Sequence, residues 1–100
     1  MKAVVSVDEA KEDIGNARDW YESKTAGLGE EFRQAIQETV SRIVANPESF
    51  RKVRRNIRRA IVHRFPYGVF FIDESSRIVI IAVAHFRRSP RVWQSRRYKN

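Results

Sequence analysis

Residues 77–93 read RIVIIAVAHFRRSPRVW. Positions 78–84 are all apolar and mostly β-branched, a pattern that predicts a strand covered on both faces. The sequence then changes abruptly to His85, followed closely by three arginines. Because a buried strand is rigid, it holds the residues at its end in fixed positions. We therefore expect the functional side chains at this strand end, with the rest of the chain supporting it.

Two segments before this strand show the apolar spacing of amphipathic helices. The first follows a short apolar run at residues 3–7, which predicts an edge strand. Ser6 with Glu9 resembles a capping box at the helix start, and Asp8 is a competing N-cap. The second begins near Leu28 and is stopped by Pro47. Because the turn between them is very short, we expect an αα-hairpin that packs against a sheet. The apolar stripes consist of Ala10, Ile14, Ala17 and Tyr21 in the first helix and of Leu28, Phe32, Ile36, Val40 and Ile43 in the second.

The chain between the helices and the buried strand predicts a β-meander. Residues 57–65 alternate in character, which places Arg59 and Phe65 on one face of a strand, and residues 69–72 predict the next strand. Residues 47–56 are predicted to be a basic connector. The predicted fold is α+β, in the order β-α-α-β-β-β, with the helical hairpin on one face of a small, mostly antiparallel sheet. The opposite face is expected to be partly open and to carry the alternating arginines.

The composition limits the kind of protein. The 100 residues suit a single domain, residues 1–100, with one core. The sequence contains no cysteine, which excludes disulfides and thiolate zinc sites. The N-terminus lacks the apolar stretch of a signal peptide, and no segment reaches membrane-spanning length. These features predict a cytoplasmic protein with no membrane partner.

Charge is divided unequally between the two halves. Residues 1–50 contain 6 Lys/Arg and 10 Asp/Glu, whereas residues 51–100 contain 14 Lys/Arg and 2 Asp/Glu. The halves therefore carry −4 and +12, within a net charge of +8. Such segregation predicts a polyanionic partner, and the first candidates are nucleic acid and nucleoprotein. The alternative is a basic tail that only confers solubility, but the basic residues are interleaved with strands.

Several short strings occur in an order that resembles the RelE/ParE superfamily, the toxins of bacterial type II toxin–antitoxin systems. They are WYE near the end of the first helix, GLGEEF opening the second, NPESF after it, then RRAIVHRFPYGVFF and IIAVAHFRRSPRVW. The resemblance covers nearly the whole chain. It implies the same β-α-α-β-β-β fold, arrest of growth through an essential bacterial process, and a cognate antitoxin as partner. RelE-like members cleave mRNA in the ribosomal A site, whereas ParE-like members inhibit DNA gyrase.

Cleavage of RNA by its own 2′-hydroxyl needs a proton acceptor, cations that stabilise charge at phosphorus, and a proton donor, but no metal. If the protein is such an endoribonuclease, His85, Arg64 and Arg87 are the candidate catalytic residues. Two positions argue against this chemistry. Gly68 stands where the resemblance to RelE-like nucleases implies an arginine, and Trp93 stands where several of them have a tyrosine. Because indole does not transfer protons near neutrality, the sequence favours non-enzymatic inhibition of gyrase over mRNA cleavage.

Further side chains are candidates for binding the target or nucleic acid, because arginine suits phosphate and aromatic rings stack on bases. Plainer interpretations stay open: His85 as a backbone hydrogen-bonding residue, the arginines as a solvated patch and Trp93 as a packing anchor. A small, non-toxic nucleic-acid-binding domain also stays open. No metal or cofactor is expected, and the partners would be an antitoxin and either gyrase or the translating ribosome with its mRNA. The binding candidates are Arg54, Arg55, Arg59, Tyr67, Arg88, Arg91 and Trp93.

Overall fold

The computed structural model describes residues 2–86 and 90–96, which form a five-stranded sheet and three α-helices. The elements are β1 (Ala3–Ser6), α1 (Asp8–Lys24), α2 (Leu28–Ala45), β2 (Lys52–Arg54), β3 (Ile57–Ile61), β4 (Tyr67–Asp73), β5 (Arg77–His85) and α3 (Pro90–Ser95). The strands lie in the order β1-β5-β4-β3-β2, with β1 parallel to β5 and the other neighbours antiparallel. This arrangement confirms the predicted α+β fold.

The helices α1 and α2 cover one face of the sheet, called the helix face below. Their predicted apolar stripes all belong to the main core or pack against it. The start of α1 differs from prediction, because its N-cap is Val7 and no side chain caps it. The Val7 amide instead donates a hydrogen bond of 3.0 Å to the Ile80 carbonyl, so the chain stays extended until Asp8. Gly27, with φ of 89°, adopts the left-handed conformation that joins the two helices.

The strand β3 is shorter than predicted, and this changes the position of Phe65. It ends at Ile61, and the chain turns through Arg64, whose φ is 75°. Phe65 therefore packs on the helix face, with its ring centroid 5.2 Å from that of Phe32. The prediction that Phe65 shares a face with Arg59 was wrong, because the alternation of a strand does not continue through a turn.

The predicted connector contains regular structure that the sequence did not indicate. A single 3-10 turn at Pro47–Ser49 is followed by β2, which pairs antiparallel with β3. Three strand residues are too few to give a periodic signal. The strand β2 is therefore defined by its pairing with β3 and not by its own sequence pattern.

The strand β5 is buried along residues 78–84, as its apolar run predicts. The helix α3 crosses the sheet face opposite the helical hairpin, called the cleft face below. There the Trp93 ring stacks on Phe70, with ring centroids 4.6 Å apart and planes 11° apart. Trp93 therefore packs against the sheet as part of a second buried cluster on this face.

Candidate functional site

A cleft of about 300 Å³ opens on the cleft face, beside α3. Its walls combine aromatic and aliphatic side chains with two basic ones. Such a lining can hold an apolar group and an anionic group together. The lining residues are Arg59, Ile61, Phe70, His85, Phe86 and Trp93.

The sheet register brings these residues to one place. Arg59 on β3 is the partner of Phe70 on β4, and Tyr67 at the start of β4 is the partner of His85 at the end of β5. The Phe86 amide donates a hydrogen bond of 3.0 Å to the carbonyl of the residue before β4. The pairing of β3, β4 and β5 therefore places their cleft-lining residues side by side, and Trp93 of α3 forms one wall of the cleft.

The structure places three of the predicted site residues, Arg59, His85 and Trp93, around this cleft. Tyr67 contacts the His85 ring edge to face, with centroids 5.3 Å apart. However, Tyr67 is only 9% exposed and packs against Phe32 on the helix face, with ring centroids 5.1 Å apart. A binding role for Tyr67 stays a prediction, and its ring contributes to the core.

Arg64 is held away from the cleft lining. Its Nη2 lies 2.6 Å from Glu31 Oε1 on α2, and its guanidinium lies 5.7 Å from the centre of the Phe65 ring. Arg54 and Arg55 are exposed at the opposite end of β3 from the cleft. The predicted catalytic pair of Arg64 and His85 is thus not assembled in one pocket.

Three further predicted residues follow the end of β5, and two lining residues of the cleft were not predicted. Arg91 is exposed on α3, whereas Arg87 and Arg88 lie outside the described residues. The sequence did not single out Ile61 and Phe86, which are 40% and 41% exposed and line the cleft. Their signal was available only in part: Ile61 is two residues from Arg59 and therefore shares its face.

An ion pair attaches the end of α3 to the sheet. Arg96 binds both carboxylate oxygens of Asp13, at 2.7 and 3.0 Å, and also donates to the Ile81 carbonyl at 2.9 Å. Asp13 Oδ2 accepts a hydrogen bond of 2.9 Å from the Val83 amide. These side chains bind the edge of β5 beyond Ile80, where pairing with β1 stops. The hydrogen bonds that Arg96 donates to Asp13 raise the pKa of Arg96 above its ordinary value.

A second depression of about 610 Å³ lies at the β4–β5 turn. The charged residues that line it are paired: Asp73 with Lys2, and Glu74 with Arg77 at 2.8 Å.

Across the described ranges, no cluster of three or more His, Asp and Glu side chains is arranged to hold a metal ion. No helix in those ranges is long and apolar enough to cross a membrane. The cleft beside α3 is therefore the stronger candidate site.

Comparisons with known proteins agree with this fold. Residues 5–90 match the family model described as the ParE toxin of the type II toxin–antitoxin system parDE. A solved structure described as the chromosomal ParDE TA system from P. aeruginosa superimposes with a TM-score of 0.65. Its sequence is 21% identical, and the match covers 85% of this chain and 96% of that chain. No curated protein sequence matches significantly.

Proposed function

The chain belongs to the ParE toxin family of type II toxin–antitoxin systems, and on that premise we propose that it arrests bacterial growth by inhibiting DNA gyrase. A cognate antitoxin neutralises it by binding. In this proposal the protein is a non-enzymatic inhibitor, and the cleft that contains Arg59 and His85 contacts partners rather than performing chemistry. The family membership supports the first part, and the geometry of the cationic residues supports the second.

The observation that carries gyrase inhibition over RNA cleavage is the separation of Arg64 from His85. RNA cleavage needs cations and an acid–base group around one phosphate. Here the Arg64 guanidinium is bound to Glu31 on the helix face, whereas His85 lines the cleft. Gly68 supplies no cation, and the Trp93 ring is stacked on Phe70. This arrangement suits binding better than proton transfer.

A supercoiling assay with purified gyrase and relaxed plasmid tests the proposal. The purified protein should suppress ATP-dependent supercoiling at amounts comparable to those of gyrase. Arg18→Gln is a matched control, because Arg18 is exposed on α1 and, among the described residues, its guanidinium pairs with its neighbour Asp19 alone. Undisturbed supercoiling at a large excess of protein that still stops growth when induced would refute gyrase as the target.

A second candidate function, ribosome-dependent mRNA cleavage, is supported by the presence of Arg59 and His85 in one cleft. Primer extension on mRNA from a purified translation reaction separates the two candidates. Gyrase inhibition predicts intact mRNA from a preparation that arrests growth. Cleavage within ribosome-bound codons that is lost in Arg64→Ala/His85→Ala would instead establish the nuclease, with those residues in its catalytic apparatus.

The antitoxin part of the proposal follows from the family and from the charge distribution. An acidic partner segment would be attracted to the half of the chain that carries +12, since opposite charges favour association. The outer surface of the helical hairpin carries most of the acidic residues and would repel it. Co-expression with the product of the adjacent gene should restore growth and yield a complex that co-purifies. Continued arrest without complex formation would contradict this.

A further inference from the structure

Among the residues that the structure describes, Arg59 is the half-buried arginine whose guanidinium has no hydrogen-bond or ion-pair partner. Within residues 2–86 and 90–96, its guanidinium makes no hydrogen bond or ion pair, although its side chain is partly withdrawn from water. Burying a charged group without a partner is unfavourable, so such a group is suited to receive one. Each of the other half-buried arginines in these ranges donates a hydrogen bond: Arg33 to Glu30, Arg42 to the Ile61 carbonyl, Arg58 to the Phe50 carbonyl, Arg77 to Glu74 and Arg96 to Asp13.

Gly68 explains how Arg59 reaches the cleft. A Cβ atom at Gly68 would lie 3.1 Å from Arg59 Cγ, 3.2 Å from Arg59 Cδ and 3.3 Å from Phe70 Cε1. The stem of Arg59 therefore lies against Gly68, and a Cβ atom there would require Arg59 or Phe70 to shift by a few tenths of an ångström. The φ angle of Gly68 is not left-handed, so the need for glycine here is spatial. The glycine at position 68 thus leaves room for the Arg59 stem on the neighbouring strand.

The surroundings of Arg59 resemble the centre of a protein interface. Ile61 and Phe86 are large apolar side chains that are 40% and 41% exposed, and both line the cleft with Arg59. Phe70 and Trp93, which are almost fully buried, form a rigid stacked pair beneath them. Arginine and aromatic residues in partly desolvated pockets contribute most to protein–protein affinity. The apolar rim favours a protein segment over a nucleic acid strand as the occupant.

From this arrangement we infer that the cleft binds an acidic residue of the antitoxin, with Arg59 holding its carboxylate. Ile61 and Phe86 receive a neighbouring apolar side chain of the same segment. Gly68 acts as a positioning residue, because it leaves room for the Arg59 stem. A guanidinium can bind a carboxylate through two parallel hydrogen bonds, and so fixes its orientation as well. The inference rests on the antitoxin partnership proposed above.

The test is the dissociation constant of the purified toxin for the product of the adjacent gene, measured by titration calorimetry. Arg59→Gln should weaken binding by about 30-fold or more, as expected for an interface anchor. Gly68→Ala should weaken it by about 10-fold by displacing Arg59. The double variant should bind no more weakly than Arg59→Gln alone, since Gly68 acts only through Arg59.

Matched controls separate this effect from altered folding. Gly15→Ala adds a methyl group where nothing lies within 4 Å, and Arg18→Gln removes an exposed arginine from α1. Both should leave the dissociation constant within about twofold, because surface changes away from a contact have little effect. Thermal melts of every variant identify those that fail to fold, and for these Arg59→Lys replaces Arg59→Gln. A folded Arg59→Lys should still lose about 10-fold, because lysine cannot form the paired hydrogen bonds.

Four outcomes would count against the inference. Binding unchanged in Arg59→Gln would show that Arg59 is not the anchor, and additive losses in the double variant would show that Gly68 acts independently. Unchanged antitoxin binding together with weakened binding of a single-stranded RNA 20-mer would make the cleft a nucleic-acid site. If the wild-type toxin failed to bind the adjacent gene product, the antitoxin partnership and this inference would fail together. Failure to inhibit gyrase, with antitoxin binding intact, would refute only the proposed target.

Discussion

The two faces of the sheet are covered in different ways. On the helix face, α1 and α2 bury a continuous core that includes Phe32, Phe71 and Ile43 without measurable exposure. On the cleft face, the six residues of α3 provide the described helical cover, centred on Trp93, and a cleft remains beside Arg59. The helix face buries the larger group of core side chains, so we expect it to contribute most of the stability. The cleft face leaves Arg59, Ile61 and Phe86 partly exposed to solvent.

The largest expected effect is a loss of folding stability, which should differ between two neighbouring residues whose side chains point to opposite faces of the sheet. Phe71 lies in the closed core of the helix face and is 0% exposed, whereas Phe70 lines the cleft. Phe71→Ala should lower the free energy of unfolding by about 3–5 kcal/mol, because it leaves an enclosed cavity. Phe70→Ala should cost less, about 2 kcal/mol, because water can enter the space from the cleft. Urea denaturation measures both values, and equal losses would show that the two faces are packed alike.

The next effect concerns the ion pair that attaches α3. Asp13→Asn removes the charge that holds Arg96 and should cost about 1.5–3 kcal/mol, the range for hydrogen bonds to charged groups. Asp19→Asn is the control, because its side chain is 73% exposed and pairs with Arg18 at 3.3 Å. Hydrogen exchange should show faster exchange at the Val83 amide in Asp13→Asn alone. Unchanged protection there would mean that α3 is held by Trp93 and not by this pair.

The same pair has a defined pH dependence through Arg96. Its pKa is raised in the folded state, so its contribution to stability is fully present below the ordinary arginine pKa and is lost only as pH rises through the folded value. The contribution of Arg96 is therefore constant in neutral buffers. The stability difference between the wild-type protein and Arg96→Gln should stay flat between about pH 6 and pH 9. A difference that shrinks within that range would contradict this assignment.

Much of this fold follows from local sequence pattern. The apolar run at residues 78–84 and the helical stripes predict elements that each bury one or both faces, and the structure confirms them. Features that depend on register or on distant contacts could not be predicted. The pairing of Asp13 with Arg96 joins residues 83 positions apart. The position of the Arg59 stem over Gly68 requires the exact pairing of two strands. The cleft is built mainly from relations of this second kind, so the sequence named Arg59, His85 and Trp93 but not the other described lining residues, Ile61, Phe70 and Phe86.

The smallest expected effect concerns the ion pair of Arg33 and Glu30 on the outer surface of α2, whose side chains are 43% and 54% exposed. It contrasts with the more buried pair of Asp13 and Arg96 that attaches α3. Arg33 donates hydrogen bonds to Glu30 at 2.9 and 2.6 Å and thereby lowers the pKa of Glu30 below its ordinary value of 4.5. A lowered carboxylate pKa stabilises the fold above the unfolded value, and the contribution is lost as pH falls through the folded value. Because water screens exposed charges, Glu30→Gln should change the melting temperature far less than Asp13→Asn at neutral pH. That small difference should be lost as pH falls through the lowered pKa of Glu30, because Glu30 then becomes protonated in the wild-type protein as well. Melting curves followed by circular dichroism across a series of decreasing pH values test this. A loss as large as that of Asp13→Asn would mean that surface charges on the helix layer stabilise the fold as strongly as the ion pair at the edge of β5.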